Sequence, residues 1–181
     1  MRTIPNMKII VPCDGPETKE VVISAANISG PFYIRLGRPK SPTIEGKKKF
    51  EFGKGYILKE GRDVTIIACG IMVKQAMEAA LILEREEVSV CVINMHTIKP
   101  LDSELVIEKA KETKGIVVCE EHSVIGGLAS AIEEVLCERY PKKLLRIGIR
   151  NRFGQSGTSE DLMREYNLIP EDIVETVHRL L

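Results

Sequence analysis

Apolar positions fall into short runs separated by stripes at helical spacing. The pattern is sharpest from Asp63 to Pro100. VTIIACG (Val64–Gly70) is a β-branched run that stops at a glycine. Behind it Val73, Ala76, Met77, Ala80 and Leu81 recur at helical spacing, with Lys74, Gln75 and Glu78 between them. VSVCVINM (Val88–Met95) is a second apolar run, closed by Lys99-Pro100. The order is strand, amphipathic helix, strand. A helical crossover requires the two strands to lie parallel, joined in the right-handed sense.

The same logic reads the rest of the chain. MKIIV (Met7–Val11) predicts a strand. CDGPET turns into a helix with Pro16 at its first position and Glu17 favourable toward its dipole. That helix ends near Ser29, before Gly30, and Pro31–Gly37 predicts the next strand. Arg38–Lys49 is polar, broken by Pro39, Pro42 and Gly46, and reads as a linker or exposed crossing segment. The first ~40 residues are therefore either the end of another domain or extra strands on the main sheet, since a lone β-α-β unit cannot cover both its faces.

Beyond the linker, Lys54–Lys59 and the Val64 strand predict a hairpin turning at Glu60-Gly61-Arg62. A helix starts with Asp102 as N-cap and ends before Gly115. Ile116–Cys119 predicts a strand and EEHSVIGG a loop. Leu128, Ala131, Ile132, Val135 and Leu136 form the apolar face of the next helix. Leu144–Ile149 predicts the last strand. Short helices open at Ser159 and Pro170, and the second carries His178 and Arg179 in its last turn. The fold class is α/β, a mostly parallel sheet with helices on both faces, preceded by a β-α-β fragment.

Composition narrows the function. Lys+Arg and Asp+Glu both number 26, so no basic excess points to nucleic acid or an anionic membrane. No apolar run approaches a membrane span, and no signal peptide is visible at the start. Cys13, Cys69, Cys91, Cys119 and Cys137 lie in apolar runs without a C-x-x-C pair. They read as buried thiols in a reducing compartment, the cytosol.

Candidate chemistry is sparse. Gly126-Gly127 opens a helix after a strand, where bare N–H groups hold an anion or small residues pack a helix close to a sheet. Neither G-x-G-x-x-G nor the P-loop pattern is present. Glu120-Glu121-His122 follow a strand end, where open α/β sheets place their sites; acid–base work and loop capping both fit. His96 closes a strand as a site residue or as a hydrogen-bonded structural histidine. His178 reads as a helix-end cation. Three distant histidines and no clustered carboxylates give no metal set. Arg35 and Arg38 frame the end of the Pro31–Gly37 strand, and a guanidinium there suits a phosphate or simply water.

Taken together, RTIPNMKIIVPCDGPET with GPFYIRLGRP resembles the end of the pyrimidine-binding domain of transketolases. VTIIACGIMVKQAMEAA, NMHTIKPLD, EEHSVIGGLASAI and FGQSGTSEDLMREYNL resemble the carboxyl-terminal domain of the same family. The likeness spans nearly the whole chain and is closest to forms split into two chains. Deoxyxylulose-phosphate synthase and the β chains of 2-oxoacid dehydrogenases share the architecture.

The resemblance implies residues 1–42 as the incomplete tail of a pyrimidine-binding domain and 43–181 as the carboxyl-terminal domain. It implies a thiamine-diphosphate enzyme with a divalent metal (Mg or Ca), moving a two-carbon ketol unit between sugar phosphates of pentose-phosphate type. The family's G-D-G…N motif is absent, so the resemblance places the cofactor, the metal and every catalytic residue outside this chain. The chain alone is then expected to be inactive. Its implied partner is an amino-terminal transketolase portion or subunit within a homodimer. One residue carries over: Arg38 matches the arginine of the family's L-[SG]-R pattern, which grips the substrate phosphate. A non-catalytic dimerisation or docking module is the reading from a different class.

Overall fold

A computed structural model describes residues 1–38, 41–46 and 49–181. Pro39, Lys40, Lys47 and Lys48 of the predicted linker lie outside the described residues.

The centre is a five-stranded sheet built of β3 (Tyr56–Lys59), β4 (Val64–Ala68), β5 (Val90–Asn94), β7 (Ile116–Ser123) and β8 (Leu144–Ile149), in the order β3-β5-β4-β7-β8. β4 pairs parallel with β5 and β7, and β7 parallel with β8. β4 and β5 are buried along their full length, because helices cover both faces. Alternate residues serve alternate faces. Ile66 and Val92 pack with α2 (Met72–Arg85), α5 (Ser159–Glu165) and α6 (Pro170–His178). Ile67 and Ile93 pack with α3 (Ser103–Glu112) and α4 (Leu128–Arg139).

A smaller sheet, in the order β2-β1-β6, joins β1 (Lys8–Ile10), β2 (Phe32–Ile34) and β6 (Thr97–Lys99). β1 and β2 flank α1 (Gly15–Asn27) and are parallel, as the β-α-β pattern requires. The first residues therefore do not extend the main sheet. They recruit β6, which leaves the end of β5 and runs antiparallel to β1. TIK reads in sequence only as the tail of the preceding run, so this strand was not predicted.

The predicted hairpin does not form. β3 pairs antiparallel with β5, at the far edge of the sheet, and β4 sits between its two parallel neighbours. Gly61 makes the crossing possible: a Cβ there would lie 2.1 Å from the carbonyl carbon of Val90, so the chain passes directly over the start of β5. A glycine that permits close backbone approach looks, in sequence, like a turn glycine.

Other boundaries shift for packing reasons. β7 continues through Glu120–Ser123, which was predicted as loop. On α2 the buried stripe is Met72, Val73, Ala76, Ala79, Ala80 and Leu83, while Leu81 faces solvent. Cys13, Cys69, Cys91 and Cys119 are buried thiols, but Cys137 is exposed on the outer face of α4, correcting the expectation that all five are buried. Asp102 caps α3 with its carboxylate, as the sequence predicts, and Asp14 caps α1 in the same way, which was not predicted.

Candidate functional site

A cavity of about 740 Å³ opens at the carboxyl ends of strands from both sheets. Arg35 and Arg38 approach it from the end of β2, Gly70 and Ile71 from the β4–α2 junction, and His122 from the end of β7. The loop 154–157 between β8 and α5 forms the opposite wall. This is the crevice in which open α/β sheets bind ligands.

The two arginines differ in freedom. Arg35 is anchored: its backbone N–H donates to Ile10 O, and its guanidinium Nη1 donates to Glu121 O at 2.9 Å. Its other nitrogen lies 4.0 Å from Cys69 Sγ. Burial pushes the Cys69 thiol up to about 12, against the opposing charge of Arg35, so it stays protonated. Arg38 is exposed, has no carboxylate partner among the described residues, and lines the cavity. A guanidinium in that state is ready for a bidentate anion.

Of the remaining sequence candidates, Glu121 lines the same cavity near Arg35, with burial raising its carboxyl pKa against that charge, and the others have partners within the fold. Glu120 is buried, with its carboxylate accepting from the backbone N–H groups of Leu128 and Ala129 at 2.9 and 3.0 Å. It occupies the start of α4, so the Gly126-Gly127 segment offers no vacant anion site there. A Cβ at position 127 would fall 2.1 Å from Glu120 Oε2, so Gly127 exists to admit this carboxylate. His122 donates from Nδ1 to Ser123 O at 2.8 Å and stands 3.8 Å from Glu120, so the two do not form a poised acid–base pair. His178 pairs with Glu86 at 2.8 Å near the end of α6.

A buried polar cluster was not visible in the sequence. Glu17, read there as a dipole partner, is 3% exposed. One oxygen accepts from Cys13 N at 2.7 Å; the other accepts from Tyr56 Oη at 2.8 Å and Asn94 Nδ2 at 2.9 Å. Asn94 Nδ2 also donates to Tyr56 Oη at 2.8 Å, closing a triangle between α1, β3 and β5. Burial, then the nearby Glu17 charge, raises the Tyr56 hydroxyl far above its ordinary value, so it remains a donor. His96 is fully buried against Phe50 and Tyr56, with Nδ1 paired to Thr97 Oγ1 at 2.9 Å. The one hint in the sequence was Asn94 within the apolar run Val88–Met95.

Among the described residues no group of three or more His, Cys, Asp or Glu side chains clusters to hold a metal ion. No helix among them is long and apolar enough to cross a membrane.

The fold is an α/β domain with a crevice at the strand ends, lined by Arg35 and Arg38. The family described as "Transketolase, C-terminal domain" matches residues 53–173, more than half of the chain, and the chain belongs to that family. The "Putative transketolase C-terminal section" of Methanocaldococcus jannaschii is 43% identical over 181 residues, covering 98% of this chain and 56% of that protein. A "1-deoxy-D-xylulose-5-phosphate synthase" of Caldanaerobacter subterraneus is 34% identical, covering 98% of this chain and 29% of that protein. A solved structure titled "Split gene transketolase, inactive beta4 tetramer" is 47% identical with a TM-score of 0.95, covering all of this chain and 60% of that one. The chain thus spans about half the length of the split relatives it matches.

Proposed function

We propose that this chain is the carboxyl-terminal part of a thiamine-diphosphate-dependent transketolase, moving a two-carbon ketol unit between sugar phosphates, with Arg38 gripping the substrate's phosphate. The observation that carries this is the placement of Arg38, unpaired with any described carboxylate, on the wall of a strand-end cavity in a member of the transketolase family. A charged guanidinium on phosphate supplies a directional, two-pronged contact.

Residues 1–42 are proposed as the tail of a pyrimidine-binding domain and 43–181 as the carboxyl-terminal domain. The β1-β2 pair standing outside the main sheet and the family match beginning at residue 53 support that division, with β6 of the second part pairing across it to β1. Thiamine diphosphate would supply the carbanion chemistry when bound in the complete enzyme. The described residues offer no metal-ligating cluster and the sequence no G-D-G…N, so they do not fit the diphosphate end of that cofactor. This chain's own contribution is substrate anchoring and scaffold. The partner is an amino-terminal transketolase subunit in a dimeric assembly, and the free thiols support a reducing, cytosolic setting.

The test is reconstitution. The chain, mixed with an amino-terminal partner, thiamine diphosphate and Mg²⁺, is assayed for ketol transfer from a ketose phosphate to an aldose phosphate. Arg38→Ala should raise KM for phosphorylated sugars about ten-fold or more, the scale of a lost charged hydrogen bond. A verified complex with no transfer would reduce the chain to a docking module. The relative named as a deoxyxylulose-phosphate synthase favours a second reading, in which the complete enzyme makes a deoxyxylulose phosphate. Identifying the sugar phosphate formed tells the two apart.

A further inference from the structure

We infer that Asp14 is a positioning residue for Arg38: one carboxylate caps α1 and also ties down the segment that carries the phosphate-binding guanidinium. This rests on the role proposed above for Arg38.

Arg38 lies between two anchors. Upstream, Arg35 is held by its backbone bond to Ile10 O and its side-chain bond to Glu121 O. Downstream, Ile44 N–H donates to Asp14 Oδ2 at 2.9 Å, while Asp14 Oδ1 accepts from Glu17 N–H at 2.9 Å as the helix cap. Asp14 is 3% exposed, so water does not easily replace either contact. The tie continues along one edge of α1. Glu20 accepts from Phe50 N–H at 2.8 Å and Glu17 from Tyr56 Oη at 2.8 Å. Asp14 at the cap, and Glu17 and Glu20 on the helix at three-residue spacing, thus hold residues 44, 56 and 50 against α1. Of these ties, the one at Asp14 lies closest in the chain to Arg38.

The two duties of Asp14 can be separated. Asparagine caps helices about as well as aspartate. It has one acceptor oxygen, however, and its NH₂ faces a donor at the second position, so Asp14→Asn keeps the cap and releases Ile44. Serine imposes the same choice.

The experiment has two readouts. On the full chain alone, amide exchange at Ile44 is followed by mass spectrometry or NMR; Asp14→Asn should accelerate it about ten-fold or more, with exchange in α1 unchanged. In the reconstituted enzyme, KM is measured for an aldose phosphate and for the same aldose without phosphate. Asp14→Asn should raise the first about five- to ten-fold and the second less than two-fold, with kcat for both nearly constant. Unchanged exchange at Ile44, or equal losses with both acceptors, overturns the inference. Arg38→Ala, run beside it, separates the two claims. If Arg38→Ala raises KM and Asp14→Asn does not, the positioning role fails and the phosphate site stands. If neither changes KM, the phosphate site falls and the positioning role with it.

Discussion

Replacing Glu120 tests whether the strand-end carboxylate is a helix cap or a reagent. Its two oxygens take the N–H groups of Leu128 and Ala129, and at 2% exposure no solvent is at hand to satisfy them. α4 has Gly127 as its N-cap and no side-chain cap of its own, so Glu120→Ala leaves two buried donors unpaired. Each unpaired buried donor costs ~1–3 kcal/mol, and loss of a charged partner at a helix start falls in the same range. The two share one site, so about 2–4 kcal/mol in total is expected. For a chain of this size that lowers Tm by about 5–15 °C. Glu120→Gln keeps one acceptor oxygen and should cost about half as much. The assay is urea unfolding followed by circular dichroism, comparing midpoints at constant slope. An alanine variant within ~0.5 kcal/mol of the parent would refute the capping argument, on the ordinary scatter of surface substitutions. A glutamine variant of full stability that abolishes turnover in the reconstituted enzyme would return Glu120 to the chemistry.

Two further outcomes follow from burial. His96 is buried, and desolvation lowers its pKa against a smaller opposing pull from Glu17. The unfolded chain takes up a proton below about pH 6.5 that the folded chain resists, so stability falls as pH drops through that value, by at most ~1.4 kcal/mol at pH 5.5. The urea midpoint should therefore fall more between pH 7.5 and 5.5 for the parent than for His96→Asn, and equal falls would exclude His96 as the cause. Cys137 is exposed while the other four thiols are buried, with burial holding Cys91 up at about 11. A thiol reagent should titrate one group quickly in the native chain and five after denaturation; two or more fast groups would contradict the packing.

The sequence was most informative where one physical term dominated. The fully apolar runs of β4, β5 and β7 demanded cover on both faces, and the parallel sheet with its two helical layers followed. The start of α3 at Asp102 was legible because capping is local chemistry, and that of α1 because Pro16 and Glu17 mark a first turn. What stayed hidden depended on partners distant in the chain. Gly61 signals a turn until Val90 is placed beneath it. TIK is too short to declare a strand until β1 offers it an edge. Gly127 carries an anion-site signal until Glu120, seven residues earlier, is found filling the space. Arg38 was found through its family pattern; geometry adds that it faces a cavity, and residue spacing alone could not have done so.

The distribution of helix caps bears on where this chain can take an anion. Five helices begin with a carboxylate or hydroxyl from the chain itself: Asp14 at α1, Asp102 at α3, Glu120 at α4, Thr158 at α5 and Asp172 at α6. Those helix starts already have internal partners for their free N–H groups. α2 starts at Ile71 with no side-chain cap, and Gly70 and Ile71 form part of the cavity wall that also includes Arg35 and Arg38. The uncapped helix end and the Arg38 guanidinium therefore share one concavity, with the Glu121 carboxylate facing Arg35 on the same wall. An anion entering the crevice meets both without displacing a protein carboxylate from either, whereas at the other five starts it would have to compete with one of the chain's own capping groups. The phosphate role proposed for Arg38 thus draws on where the chain withholds its caps as well as on where it places its arginines.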